Sequence, residues 1–360
     1  MTAAPLAIDL FSGAGGATQG LANVGFNVLA AVESGKDAAQ TYRLNHPDVL
    51  LYEQDIRSLD PGIVRRQLLL RTGRLTLLKA CPPCQGFSSL NRGKHDDEQN
   101  DLVLVCVAFI REFAPKAVLI ENVPGLQRDG RFQELCDRLR SMGYDLRACV
   151  VSADEFGVPQ RRRRLVVLAA KQILPQFEHI YELVPRSSRR LPMTAGERLH
   201  ELGRQLPPKD EWHRWRQSSP AVRSRIAAVP INGSRFDLPI DMQLKCHSTA
   251  LGAGGTPREA TASYGRVKAD LAAPTMTTRC TTPACGSFIH PTENRGLSLR
   301  EAASLQTFPP SYRWSGGYDS VERQIGNAVP VWMAEALGRG VLASLKRRGS
   351  RWAARSSRTH

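Results

Sequence analysis

The sequence predicts an open α/β fold with a mostly parallel sheet and a smaller, irregular second domain. Three observations carry this expectation. Residues 6–24 read as a strand, a glycine-rich turn and a helix; short apolar runs then alternate with helical stretches as far as residue 170; and from 171 to 261 that periodicity dissolves.

Composition bounds the alternatives. A chain of 360 residues with 42% hydrophobic and 23% charged content has ample length to bury a core and the balance of a soluble globular protein. No apolar run approaches the ~18 residues that cross a bilayer, and no charged-then-apolar leader begins at Met1, so a cytoplasmic location without membrane contact is expected. The net charge of +15 exceeds what solubility requires and favours a polyanionic partner, most simply nucleic acid. From Arg339 to His360 the chain carries seven Lys/Arg and no acidic residue, and residues 346–360 read as a basic, poorly ordered tail. Eight cysteines without a leader fit free thiols better than a disulfide framework. A zinc site from Cys81-x-x-Cys84 and Cys280-x4-Cys285 is disfavoured, because prolines fill the first pair and the second lacks tight spacing.

The first strand, Leu6 to Phe11, runs directly into Ser12-Gly13-Ala14-Gly15-Gly16, and a helix follows from Ala17 to Val24. Glycines at such a turn let backbone approach a ligand closely, although the spacing departs from G-x-G-x-x-G and argues against a nicotinamide cofactor. The second strand, Asn27 to Val32, ends at Glu33, where a carboxylate can accept hydrogen bonds from both ribose hydroxyls. After a helix at Lys36 to Asn45 and a short run at Leu50 to Tyr52 comes Asp55-Ile56, with a carboxylate able to meet an adenine amino group. Together these positions outline an adenosyl site.

Leu75 to Lys79 forms the fourth strand, and Ala80-Cys81-Pro82-Pro83-Cys84-Gln85-Gly86-Phe87-Ser88 leaves its carboxyl end. Ligands of an open parallel sheet collect outside the carboxyl ends of its strands, so Cys84 would face whatever the adenosyl group carries. Taken alone, the cysteine is equally readable as a buried thiol, half of a redox pair or half of a metal site. Residues 91–100 are polar and charged, as suits a loop that closes over a substrate. A helix from Leu102 to Phe113 precedes the fifth strand, Ala117 to Ile120, which ends in Glu121-Asn122-Val123. A helix at Arg131 to Met142, a strand at Tyr144 to Val151, and the run Gln160-Arg161-Arg162-Arg163-Arg164 before a strand at Leu165 to Ala170 complete the pattern. Alternate residues of a strand point to one side, so Arg162 and Arg164 are expected to face the site together.

Between 181 and 235 there are eleven Lys/Arg against five Asp/Glu, including the cluster Trp212-His213-Arg214-Trp215-Arg216, which favours a phosphate-facing surface. The two tryptophans are as readily explained by a small core. Ser298 with Glu301 three residues on reads as a capping box for a supporting helix, and a last helix runs from Val331 to Leu345.

Six motifs in one order resemble the DNA (cytosine-5) methyltransferase family, in its bacterial, restriction-modification-like form. They are Asp9 to Gly16, Pro82 to Ser88, Glu121-Asn122-Val123, Gln160 to Arg164, Arg300 to Pro309 and Gln324-Ile325-Gly326-Asn327-Ala328-Val329-Pro330. The resemblance implies a Rossmann-like S-adenosylmethionine-dependent methyltransferase domain at 1–171, a target-recognition domain at 172–310, a return segment at 311–345 that completes the cofactor pocket, and then the tail. It implies Cys84, Glu121, Arg162 and Arg164 as the catalytic residues. It implies cofactor contacts from Phe11, Ser12, Gly13, Ala14, Gly16, Glu33, Asp55, Ile56, Pro83, Leu102, Asn327 and Ala328, and no metal. The implied activity is methyl transfer from S-adenosylmethionine to C5 of a flipped-out cytosine in duplex DNA through a Cys84–C6 adduct. A monomer is expected, and a cognate restriction endonuclease is compatible but not required. Two other readings of the same motifs are an RNA cytosine-5 methyltransferase and a catalytically silent DNA-binding relative.

Overall fold

Seven short strands, five of them central and apolar, form the frame of the first of two compact units in this computed structural model. The structure describes residues 3–83, 101–172, 174, 180–244 and 263–356, with side chains as far as 345. The first unit comprises residues 1–157, 163–191 and 329–360, and the second comprises 158–162 and 192–328.

In the first unit the strands are β1 (Leu6–Leu10), β2 (Asn27–Val32), β3 (Leu50–Tyr52), β4 (Leu77–Ala80), β5 (Ala117–Asn122), β6 (Asp145–Ser152) and β7 (Arg163–Ala170). Their order is β3-β2-β1-β4-β5-β7-β6, and β7 alone runs antiparallel, to both β5 and β6. The expected open, mostly parallel α/β sheet is therefore present. Strands covered on both faces need near-continuous apolar sequence, and the burial of every residue of β4 and β5 reflects this. Helices α1 (Gly16–Asn23), α2 (Lys36–Asn45), α3 (Pro61–Gln67), α4 (Leu102–Phe113) and α5 (Gly130–Ser141) connect the strands. Val64, Phe109, Ile110, Leu135 and Leu139 from α3, α4 and α5 join Ile8, Leu10, Leu78 and Ile120 in one core.

Register sets the functional edge. Leu10 lies beside Val32 and Ala80, and Ala80 lies beside Ile120, so four parallel strands end in one row. The residues that follow, Phe11, Glu33 and Cys81, leave the sheet there, while Glu121 in the same row stays paired with β7. Helix α1 then packs on the helix Val331–Ser356 through Gly20, where a Cβ would lie 2.4 Å from the Val331 carbonyl oxygen. No side chain larger than hydrogen fits that crossing.

The second unit has little regular structure, and polar groups do much of its organisation. Among the described residues its helices are Ala195–Gln205, Pro220–Ala228, Leu299–Leu305 and Tyr318–Asn327. A small core of Ile226, Val229, Leu238, Tyr264 and Ile289 is held by the buried Arg266 guanidinium, which donates to the carbonyls of Ile226, Val229, His290 and Glu293 and to Asn294. One arginine can so replace a sheet ladder, because its five N–H donors satisfy carbonyls that a loop cannot pair internally. The expected capping box is present: Glu301 N donates to Ser298 Oγ at 3.0 Å, and Ser298 N donates to the Glu301 carboxylate at 2.7 Å. Trp212 is buried, while Trp215 is exposed, with the Arg295 guanidinium 4.5 Å over its ring.

Candidate active site

The glycine loop after β1 is shaped by backbone rather than side chains. Phe11, Gly13 and Gly15 take φ of 56°, 55° and 92°, a left-handed sequence that reverses the chain within five residues and delivers Gly16 as the first residue of α1. Ser12 is buried, its N–H donating to the Val32 carbonyl at 3.0 Å, and Ala14 is buried behind it. Gly13 N donates to one Glu33 oxygen at 2.8 Å and Gly35 N to the other at 2.7 Å, so the loop and the end of β2 share one carboxylate. Burial pushes the Glu33 carboxyl above its ordinary range, and the hydrogen bonds from Gly35 and Gly13 temper that rise.

At the next strand end, Asp55 caps its own short turn, accepting from Arg57 N at 2.9 Å, and Arg57's guanidinium pairs with it at 2.7 Å. That hydrogen bonding holds the Asp55 carboxyl below its usual value. Ile56 is buried beneath the turn, and Leu102 is buried at the start of α4.

A buried polar chain underlies the loop. Lys79 Nζ lies 2.9 Å from Asp9 Oδ1, both side chains at most 4% exposed, as neighbours in the register of β4 and β1. Thr18 Oγ1 donates to Asp9 Oδ2 at 2.8 Å and lies 2.9 Å from the Tyr42 hydroxyl. Burial alone would push the Lys79 ammonium down, but the Asp9 charge, aided by Cys81 and Glu121, outweighs it and raises the group's pKa. His46 stacks against Tyr42, and its burial lowers it to about 4 despite a hydrogen bond to the Gly15 backbone. None of these roles was visible in the motifs. The useful signal would have been the parallel register that sets Asp9 beside Lys79.

Glu121, 3% exposed, is the centre of the remaining cluster. Arg164 Nε lies 2.8 Å from Glu121 Oε1, and Cys81 Sγ donates to Oε2 at 2.7 Å. Arg164 reaches it because Glu121 pairs with Val166 across β5 and β7, placing Arg164 diagonally on the same face. Asn122 Nδ2 donates to the Pro82 carbonyl at 3.2 Å, so the end of β5 also holds the segment Cys81-Pro82-Pro83. Cys84, and the loop 91–100, lie outside the described residues.

Arg162 has different partners from Arg164. Strand β7 begins at Arg163, and Arg162 is buried in the second unit, its Nη1 donating to the carbonyls of Met276 at 2.9 Å and Gly326 at 3.1 Å. Gln160 works beside it, accepting from Met276 N at 2.7 Å and donating to Gln306 Oε1 at 2.9 Å. Asn327, exposed, ends the helix Tyr318–Asn327, and Ala328 follows it, buried.

The residues fit an adenosyl ligand by their chemistry. Glu33 presents two acceptor oxygens that each already take one backbone N–H and keep lone pairs for a diol, and a Cβ built on Gly13 meets nothing within 4 Å. No helix among the described residues is long and apolar enough to cross a membrane.

Residues 6–343 match the family described as C-5 cytosine-specific DNA methylase. The Type II methylase M.HgiDII of Herpetosiphon aurantiacus is 34% identical over 352 residues, covering 94% of each chain. The Type II methyltransferase M.AgeI of Thalassovita gelatinovora is 27% identical, covering 94% of this chain and 99% of its own. The fold is similar to that of the S. pombe Dnmt2 methyltransferase, with a TM-score of 0.66, 18% identity, and coverage of 96% of this chain and 99% of the other.

Proposed function

Because the chain belongs to the C-5 cytosine-specific DNA methylase family, we propose that it methylates C5 of a cytosine flipped out of duplex DNA, with Cys84 as covalent nucleophile. The observation that carries the reading is Glu121: a buried carboxyl fixed at the end of β5 beside the segment that leads to Cys84.

Cytosine C5 is a poor nucleophile until the ring's electrons are rearranged. The Cys84 thiolate adds to C6, the C5–C6 π electrons move through the ring, and N3 takes a proton from the Glu121 carboxyl. Arg164 steadies that carboxyl by charge. Phe11, Ser12, Gly13, Ala14, Gly16, Glu33, Asp55, Ile56, Pro83 and Leu102 would hold S-adenosylmethionine, which would supply an electrophilic methyl group to C5 and leave as S-adenosylhomocysteine. Loss of the C5 proton to a base then re-forms the double bond and expels Cys84 as thiolate. A free thiol has a pKa near ~8.5, so a cationic setting that favours the thiolate speeds the first step.

These groups cannot reach C5 and C6 inside a stacked duplex, so the base must leave the stack at a cost of about a few kcal/mol. Target recognition is assigned to the second unit, whose sequence is rich in Lys and Arg. The names of the relatives, Type II methylases, support duplex DNA over RNA as substrate and suit a restriction-modification role.

The test compares tritiated methyl incorporation into duplex DNA and into tRNA, followed by bisulfite sequencing of DNA from cells expressing the protein. Transfer to cytosines in one short sequence context supports the reading, and transfer to tRNA alone overturns it.

A further inference from the structure

Two side chains at the end of β5 each hold one residue of the segment before Cys84: Glu121 takes the Cys81 thiol, and Asn122 takes the Pro82 carbonyl. Cys81 is also tied by its backbone, its N–H donating to the Leu10 carbonyl at 3.2 Å. The half-buried side chain packs against the cluster of Ala17, Val329 and Ala334. The thiol therefore meets apolar neighbours and a carboxylate at once. Cysteine suits that position because it is small, mostly apolar and still a weak donor.

The two Glu121 oxygens are consequently different. Oε2 accepts from the thiol, whereas Oε1 lies 2.8 Å from Arg164 Nε and accepts no well-aligned hydrogen bond among the described residues. A glutamate carboxyl rotates easily about its last torsion, and an arginine beside it favours a two-pronged pairing that occupies both oxygens. The thiol bond opposes that closure. The charged groups set around Glu121 are Arg164 from β7 and Lys79 from β4, whose ammonium is favoured by Asp9 first and by Glu121 among its neighbours.

We propose that Cys81 is a positioning residue for methyl transfer: its thiol holds Glu121 Oε2 out of the Arg164 fork, so that the carboxyl keeps the orientation in which it meets the cytosine ring. This rests on the proposed function, in which Glu121 meets the substrate and Cys81 acts only through it.

The experiment is steady-state transfer of tritiated methyl from S-adenosylmethionine to a long unmethylated DNA duplex by the full chain, for wild type, Cys81→Ala, Cys81→Val and Cys81→Ser. Cys81→Val stays apolar without a donor, at a somewhat larger volume, and Cys81→Ser keeps a donor. The expected result is a fall in kcat of roughly three- to tenfold for the Ala and Val variants, with KM for S-adenosylmethionine unchanged and recovery to within about twofold in the Ser variant. Wild-type kcat in Cys81→Val, an equal loss in all three variants, or a change confined to KM overturns the inference. If Cys81→Ala does not fold, the contrast between Val and Ser decides. A wild-type protein that transfers no methyl to DNA overturns the functional reading itself, an outcome distinct from normal kcat in the variants.

Discussion

Arg164 Nε and Glu121 Oε1 stand 2.8 Å apart, with side chains 13% and 5% exposed, at the carboxyl edge of the sheet. Removing one partner of such a pair leaves a buried charge uncompensated. Arg164→Met should lower stability by about 3 kcal/mol, and Arg164→Met combined with Glu121→Gln should recover most of it, measured by urea denaturation. Glu121→Gln alone should reduce methyl transfer by at least about a hundredfold while S-adenosylmethionine binding by calorimetry stays intact. Equal stability of the single and double variants would show that the pair is not coupled.

The Asp9–Lys79 pair is more deeply buried and lies away from the proposed chemistry. Lys79→Met leaves the Asp9 carboxylate with the Thr18 hydroxyl, so a loss of about 3–5 kcal/mol is expected. Lys79→Met with Asp9→Asn should be markedly more stable than Lys79→Met alone, read from melting curves at neutral pH.

Much of this architecture was legible in sequence because its signals are local. Leu6 to Gly16 announces strand, turn and helix through apolar alternation and glycine, and Ser298 with Glu301 announces a helix start. The contacts among Asp9, Lys79, Cys81 and Glu121 were not legible, because they depend on which residues of parallel strands lie side by side. Arg162 and Arg164 show the same limit. A two-residue spacing gives one face only within a strand, and β7 begins between them at Arg163. The second unit gave little because buried arginines, and not periodic apolar faces, hold it together.

His46 makes stability depend on pH. Its ordinary value is 6.5 and burial lowers it to about 4, so between these values the unfolded chain binds a proton that the folded chain refuses. The stabilisation is complete above pH 6.5 and is lost as pH falls to about 4, on the order of 3 kcal/mol in all. Glu33, raised by burial, acts in the opposite sense just above its ordinary value of 4.5. Comparing wild type with His46→Gln isolates the histidine: the difference between their unfolding free energies should change with pH across that window and be flat above it. A constant difference would remove His46 as the cause.

The proposed covalent catalysis by Cys84 has a direct chemical signature. DNA containing 5-fluorocytosine, incubated with S-adenosylmethionine and the protein, should trap a complex that survives a denaturing gel. Cys84→Ser should form none, transfer no methyl to ordinary DNA and still bind S-adenosylmethionine. Methyl transfer at wild-type rate by Cys84→Ser, or a trapped complex in that variant, would contradict the account.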